Sequence, residues 1–128
     1  MLIKFIIIMS SLSLLSACSL FAPSVPAQLI GRWVCPLQGT DYEQEWYFQQ
    51  NTITFAGISS GSVVNSETDP VVQVWESENM LQFGEFYVWW HFISSNQVVI
   101  EWSNPGDPKP TLKDNWWVGD GDVYSPIN

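Results

Sequence analysis

The side chains of this chain that could do chemistry are one histidine, two cysteines and thirteen carboxylates. His91 stands between Trp89 and a turn-forming run, with no second His or Cys near it in sequence. A lone imidazole in that setting reads as structural. Gly57-Ile58-Ser59-Ser60-Gly61 has the outline of a nucleophile elbow, but it sits between strand-like runs with no helix after it. An elbow needs a strand-to-helix turn to expose its serine, so the run reads as a flexible loop. Glu43 and Glu45 share a strand face, with Asp41 close by. Paired carboxylates can act as acid and base in glycoside hydrolysis, yet any acidic β-protein offers such pairs. Asp114 and Asp120-Gly121-Asp122 supply oxygen ligands of the type Ca²⁺ prefers, without the full spacing of a calcium loop, and read as a solvated turn. No zinc spacing and no phosphate-cradling loop is present. The sequence therefore reads as non-enzymatic, with no metal and no cofactor.

The aromatic residues are the outstanding feature. Eight Trp and four Tyr exceed what one small core needs, so some must lie outside. Tyr87, Trp89 and one of Trp116 and Trp117 are the candidates, since adjacent strand residues point to opposite faces. With His91, Glu43 and Glu45 they form the candidate binding set. Exposed aromatics among acidic groups suit protein–protein contact. They also suit sugar stacking or the lining of an apolar pocket. The alternative is a core rich in Trp and Tyr with a few exposed ring edges.

The elements that must position these residues are strands. Amphipathic helical periodicity is absent, and β-branched and aromatic residues dominate. Turn residues recur at 36–39, 50–51, 57–61, 69–70, 77–79, 94–96, 104–110 and 119–121. Over 85–92, Phe86, Val88, Trp90 and Phe92 share one face, while Tyr87, Trp89 and His91 share the other. Matching that apolar face to Val98, Ile100 and Trp102 puts Phe92 opposite Val98, Trp90 opposite Ile100 and Val88 opposite Trp102. The connection is then a three-residue loop, 94–96. The earlier pair, Trp46 and Phe48 against Ile53 and Phe55, needs an odd sum, which fits a two-residue turn at Gln50-Asn51 with Asn51 able to take a positive φ. Further strands are expected at 30–35, 62–65, 71–76, 80–83 and 112–118. The fold class is all-β: an antiparallel meander of about eight short strands. A closed up-and-down barrel is favoured over a sandwich, because closure removes exposed edges.

The first eighteen residues carry a different signal. Lys4 precedes an apolar run from Leu2 to Leu15 that is too short for a stable span, and Leu15-Ser16-Ala17-Cys18 follows. This resembles the signal peptide and lipobox of bacterial lipoproteins. The resemblance implies cleavage before Cys18 and acylation of that cysteine, with two or three chains giving stable attachment. Ser19, rather than Asp, after the cysteine implies the outer membrane of a Gram-negative cell, on the periplasmic side. The expected organisation is a signal peptide at 1–17, the lipidated Cys18 and a tether over 18–28, and one β-barrel domain at 29–128. Pro23 and Pro26 make the tether semi-extended, with a reach of ~30 Å. Cys35 is then the sole remaining thiol, either buried on the first strand or open to an intermolecular disulfide.

Without Lys4, Arg32, Lys109 and Lys113 face thirteen acidic residues, a net charge of −10. That argues against nucleic acid and anionic lipid surfaces as partners and favours a basic protein, a cation or plain solubility. Leu29-Ile30-Gly31-Arg32-Trp33 also resembles the Gly-x-Trp entry motif of lipocalin-like barrels. The resemblance implies that Trp33 plugs the closed end and Gly31 permits a tight approach. The short domain implies a narrow interior, filled in part by side chains. The leading functional expectation is an outer-membrane-anchored lipoprotein that binds a protein partner, as an envelope accessory subunit or an inhibitor of a basic enzyme. The alternative is a carrier of a small apolar ligand.

Overall fold

A computed structural model describes residues 23–119 and 122–127. The expected signal peptide, Cys18, Asp120 and Gly121 lie outside the described residues. Eight strands follow one another: β1 Gly31–Pro36, β2 Tyr42–Phe48, β3 Thr52–Ser59, β4 Ser62–Trp75, β5 Met80–Phe83, β6 Phe86–Ser94, β7 Gln97–Trp102 and β8 Val123–Pro126. Each pairs antiparallel with the next, and β8 pairs with β1 to close the barrel. Period-2 alternation explains which face turns inward. On β6, Val88 and Trp90 are buried while Tyr87, Trp89 and His91 face outward, half-buried. Leu29, Trp33, Phe48, Ile53, Leu81, Val88, Trp90, Val98, Ile100 and Tyr124 fill the interior.

Both registers expected from face matching are present. Phe92 lies opposite Val98, Trp90 opposite Ile100 and Val88 opposite Trp102. Phe48 lies opposite Ile53 and Trp46 opposite Phe55, across the turn at Gln50-Asn51. The connections differ in detail. β6 runs on to Ser94, which pairs with Gln97, and the ladder shifts between Phe92 and Ser94. A bulge and a two-residue turn thus replace the three-residue loop and keep the same parity. Asn51 does not adopt a positive φ. Its groups serve other contacts: its carbonyl accepts from Val71 N and its side-chain amide donates to the Pro23 carbonyl.

Four further expectations are corrected. The 62–65 run and the 71–76 run up to Trp75 are one fourteen-residue strand, β4, and Glu76 begins a 3-10 turn. Pro70 interrupts nothing there, because β4 changes partner at that point, pairing with β3 up to Pro70 and with β5 from Val71. The missing N–H falls where the ladder needs none. The 57–61 run is not a loop: β3 extends to Ser59, and Ser60-Gly61 (φ 51° and 81°) form a two-residue hairpin turn. The 112–118 run is not a strand but a succession of turns, with Asn115 at φ 60°. The eighth strand is instead Val123–Pro126, anchored by fully buried Tyr124.

The segment expected to tether the domain joins it from Pro23 onward. Val25 is buried, its N–H donates to the Gln50 carbonyl, and a 3-10 turn at Ala27–Leu29 places Leu29 in the core. Trp33 sits buried near this base, donating its Nε1–H to the Leu29 carbonyl at 2.9 Å and meeting Phe92 edge to face. Gly31 does not serve a tight approach, since a Cβ there would meet nothing within 4 Å. Its φ of +131° is the conformation that favours glycine as the chain turns into β1.

Candidate functional site: an aromatic cleft in the barrel wall

The barrel wall opens at one side. β4 is paired to β3 from Ser62 to Pro70, but its pairing to β5 begins only at Val71. Above that point no strand among the described residues pairs with β4 on its second side, and the wall parts between β4 and the β5–β6 turn. A cleft of about 270 Å³ occupies the gap. Its wall is Trp46, Phe55, Phe83, Phe86 and Trp102, and Asn65, Ser66 and Glu67 of β4 form the rim. The register explains the gathering. Trp46 and Phe55 are opposite partners, as are Phe83 and Phe86, and all point inward.

The rings hold one another. Trp46 meets Phe55 at 4.8 Å between centroids, Trp102 at 5.5 Å and Phe83 at 5.6 Å; Phe83 stacks on Phe86 at 5.3 Å. Trp46 and Phe83 are buried, while Phe55, Phe86 and Trp102 are partly exposed. Such edge-on and tilted pairs contribute about 1 kcal/mol each beyond area burial, so the cleft is a preformed feature.

Its polar groups come from β4. Glu67 lies opposite Phe55 and Asp69 opposite Ile53, so both carboxylates share the face that the apolar residues turn to the interior. Among the described residues no hydrogen bond or ion pair reaches Glu67, which is exposed. Asp69 is half-buried, and its Oδ2 is buried without a hydrogen-bond partner among the described residues. It packs over Gly84, where a Cβ would come within 2.7 Å of the Asp69 carboxyl carbon; only glycine leaves that room. Asn65 is committed, accepting from Gly57 N at 2.8 Å.

A polar layer lies within the barrel near Trp46. The buried Tyr124 hydroxyl donates to Gln44 Oε1 at 2.9 Å. Burial pushes this phenol far above its ordinary range, and the charges of Cys35, Asp122 and Glu101 add to the rise. The Trp46 indole, beside that hydroxyl but without a hydrogen-bond partner by geometry, acts the other way. Cys35 is buried on β1, and burial, then Asp122, raises its thiol. It is thus the buried first-strand cysteine of the two alternatives.

The residues expected to bind fall into two separate places. Tyr87, Trp89 and His91 line the outer face of β6, and the 112–118 turns bring both Trp116 and Trp117 onto it. The two tryptophans therefore do not point to opposite faces, because they are not on a strand. Trp117 stacks on His91 at 3.7 Å and 10°, and Trp116 meets Trp89 at 6.5 Å. Tyr87 turns to Trp75, whose ring carries Lys109 at 4.8 Å. All five are half-buried, mostly against one another. Glu43 and Glu45 stand on β2, away from this group. Glu43 is exposed, but Glu45 is buried and bound to Arg32 at 2.9 Å, so the pair is not two free carboxylates. Asp114 is exposed, and among the described residues no group of three acidic, His or Cys side chains is placed to hold a metal.

The cleft residues Trp46, Phe55, Phe83, Phe86, Trp102 and Glu67 were not in the candidate set. One signal for them existed: Asn65, Glu67 and Asp69 alternate along a single face, and that face pairs with the apolar face of β3. Comparison with protein-family models, curated proteins and solved structures finds no match for this chain.

Proposed function

We propose that this protein is a non-enzymatic binding protein whose cleft takes a small, largely apolar ligand, in the manner of a lipocalin-like carrier. The observation that carries this reading is the unpaired upper half of β4, which leaves five aromatic rings lining about 270 Å³ of open space. A concave aromatic surface with few polar groups is the usual form of a small-molecule site. The lipobox-like Leu15-Ser16-Ala17-Cys18 supports anchorage to the periplasmic face of the outer membrane through Cys18, with the barrel held close to the bilayer. The experiment is titration of the full-length protein with the uncharged fluorescent probe N-phenyl-1-naphthylamine. Probe emission should rise saturably, and Trp102→Ala should weaken binding about tenfold. Equal binding by the variant would place the probe elsewhere and end this reading.

A second reading keeps a basic protein as partner. It is favoured by the half-exposed rings of Trp89, Trp116 and Trp117 on a strongly acidic chain. Association through that face should weaken steeply as salt rises.

A further inference from the structure

We infer that the cleft selects organic cations, substituted ammonium compounds in particular, with Glu67 as the counter-charge. This rests on the cleft being the ligand site and adds what it would choose. Three observations on independent elements converge.

The first is the wall. Five aromatic rings from β2, β3, β5, β6 and β7 face the same space. A ring face carries negative charge density, so a cation within about 6 Å of a centroid is attracted, most strongly to Trp, and more so when desolvated. Two of the five are tryptophans.

The second is the rim. Glu67 is inward-facing by register yet has no partner among the described residues. One pleat further along the same face, about 7 Å away along the strand, Asp69 holds a buried oxygen with no hydrogen-bond partner among the described residues. A desolvated carboxylate oxygen without a donor is costly to fold. Both groups add negative potential on one side of the cleft, and both are the ordinary partners of a cation.

The third is where the positive charges are. Arg32 is bound to Glu45 and lies over Tyr47 on the outer face of β1 and β2. Lys109 is bound to Glu78 over Trp75. Lys113 lines an outer groove with Trp116. None of the three lines the cleft. A fatty acid or other anion would therefore meet aromatic faces and Glu67 with no counter-charge among the described residues, and it is disfavoured. The sequence alone pointed to the same sign, since a net charge of −9 repels anions at long range.

The test uses three probes of similar shape: benzyltrimethylammonium, benzyl alcohol and phenylacetate, each titrated into the full-length protein by tryptophan fluorescence. The cation should bind about tenfold more tightly than the alcohol, and phenylacetate most weakly. Glu67→Gln should bring the cation to within about threefold of the alcohol. Glu43→Gln, which removes an exposed carboxylate from β2, should leave all three unchanged, so a general loss of charge is separated from the local one. Glu67 is exposed, so its replacement leaves the fold intact. If the alcohol binds as tightly as the cation, or Glu67→Gln leaves the cation's preference intact, the inference fails while the cleft remains a ligand site. If none of the three binds, both the inference and the reading beneath it fail.

Discussion

Two aromatic assemblies lie on opposite sides of the same wall, and they have opposite fates. On the outside of β6, Trp117 stacks on His91, Trp116 meets Trp89 and Trp117 edge to face, and the 112–118 turns supply these covering rings. Those aromatics are partners to themselves. On the inside, Trp46, Phe55, Phe83, Phe86 and Trp102 also touch, but they enclose space instead of filling it. The difference lies in what covers each group. A segment of the chain returns across the outer face. Among the described residues nothing returns across the inner one, because β4 pairs with β5 only from Val71 onward. Aromatic content therefore locates neither site by itself; the presence or absence of a covering segment does.

The largest expected effect tests whether the inner rings are structure as well as surface. Trp46→Ala removes a ring that is 1% exposed and touches Phe48, Phe55, Phe83 and Trp102. Urea denaturation should show a loss of about 3–5 kcal/mol. A loss below about 1 kcal/mol would mean that the cleft floor collapses freely and that its open volume is not preformed.

Next in size is an alkaline dependence confined to the interior. Tyr124 and Cys35 are both raised in the folded state. Each holds its proton more tightly folded than unfolded, so their contribution is fully present below the ordinary pKa values. It is lost as pH rises above about 8.5 for the thiol and about 10 for the phenol. Above pH 10, stability should fall by about 1 kcal/mol per pH unit for Tyr124. Tyr124→Phe should cost about 1 kcal/mol at neutral pH, through the lost bond to Gln44, and flatten that decline. An unchanged slope in the variant would assign the alkaline loss to other groups.

The smallest effect sharpens the contrast from outside. Trp117→Ala removes the ring stacked on His91 and should cost about 1 kcal/mol while leaving probe binding in the cleft untouched. Weakened probe binding would show that the two assemblies are coupled through β6, on which Trp90 and His91 are neighbours with opposite orientation.

Much of the fold was legible in particular residues. Phe86, Val88, Trp90 and Phe92 fixed both the inward face of β6 and its register with Val98, Ile100 and Trp102. That register holds although the connection differs from a three-residue loop, because a bulge plus a two-residue turn preserves the same pairing. What failed was local. Asp69-Pro70 has the composition of a turn, yet Pro70 sits where β4 exchanges partners and no ladder N–H is required. Residues 112–118 carry two tryptophans and a valine, yet turns with Asn115 at positive φ lay them against the outside of β6. Val123–Pro126 is too short to announce itself, and only the depth of Tyr124 makes it the closing strand.

The candidate site was less legible than the fold, for the same reason on a larger scale. Alternation along each strand is a property of the local chain, since successive side chains must point to opposite faces. The sequence therefore determined which residues face inward, that the protein is an antiparallel meander, and the strongly acidic balance of its surface. Whether an inward face meets another strand or open space depends on a partner far away in the chain. Only the tertiary structure decided that β4 outruns β5, that Glu67 faces open aromatic walls, and that Trp116 and Trp117 cover His91 and Trp89. Each of those outcomes is set by where long-range pairing stops, and no local pattern of residues encodes that point.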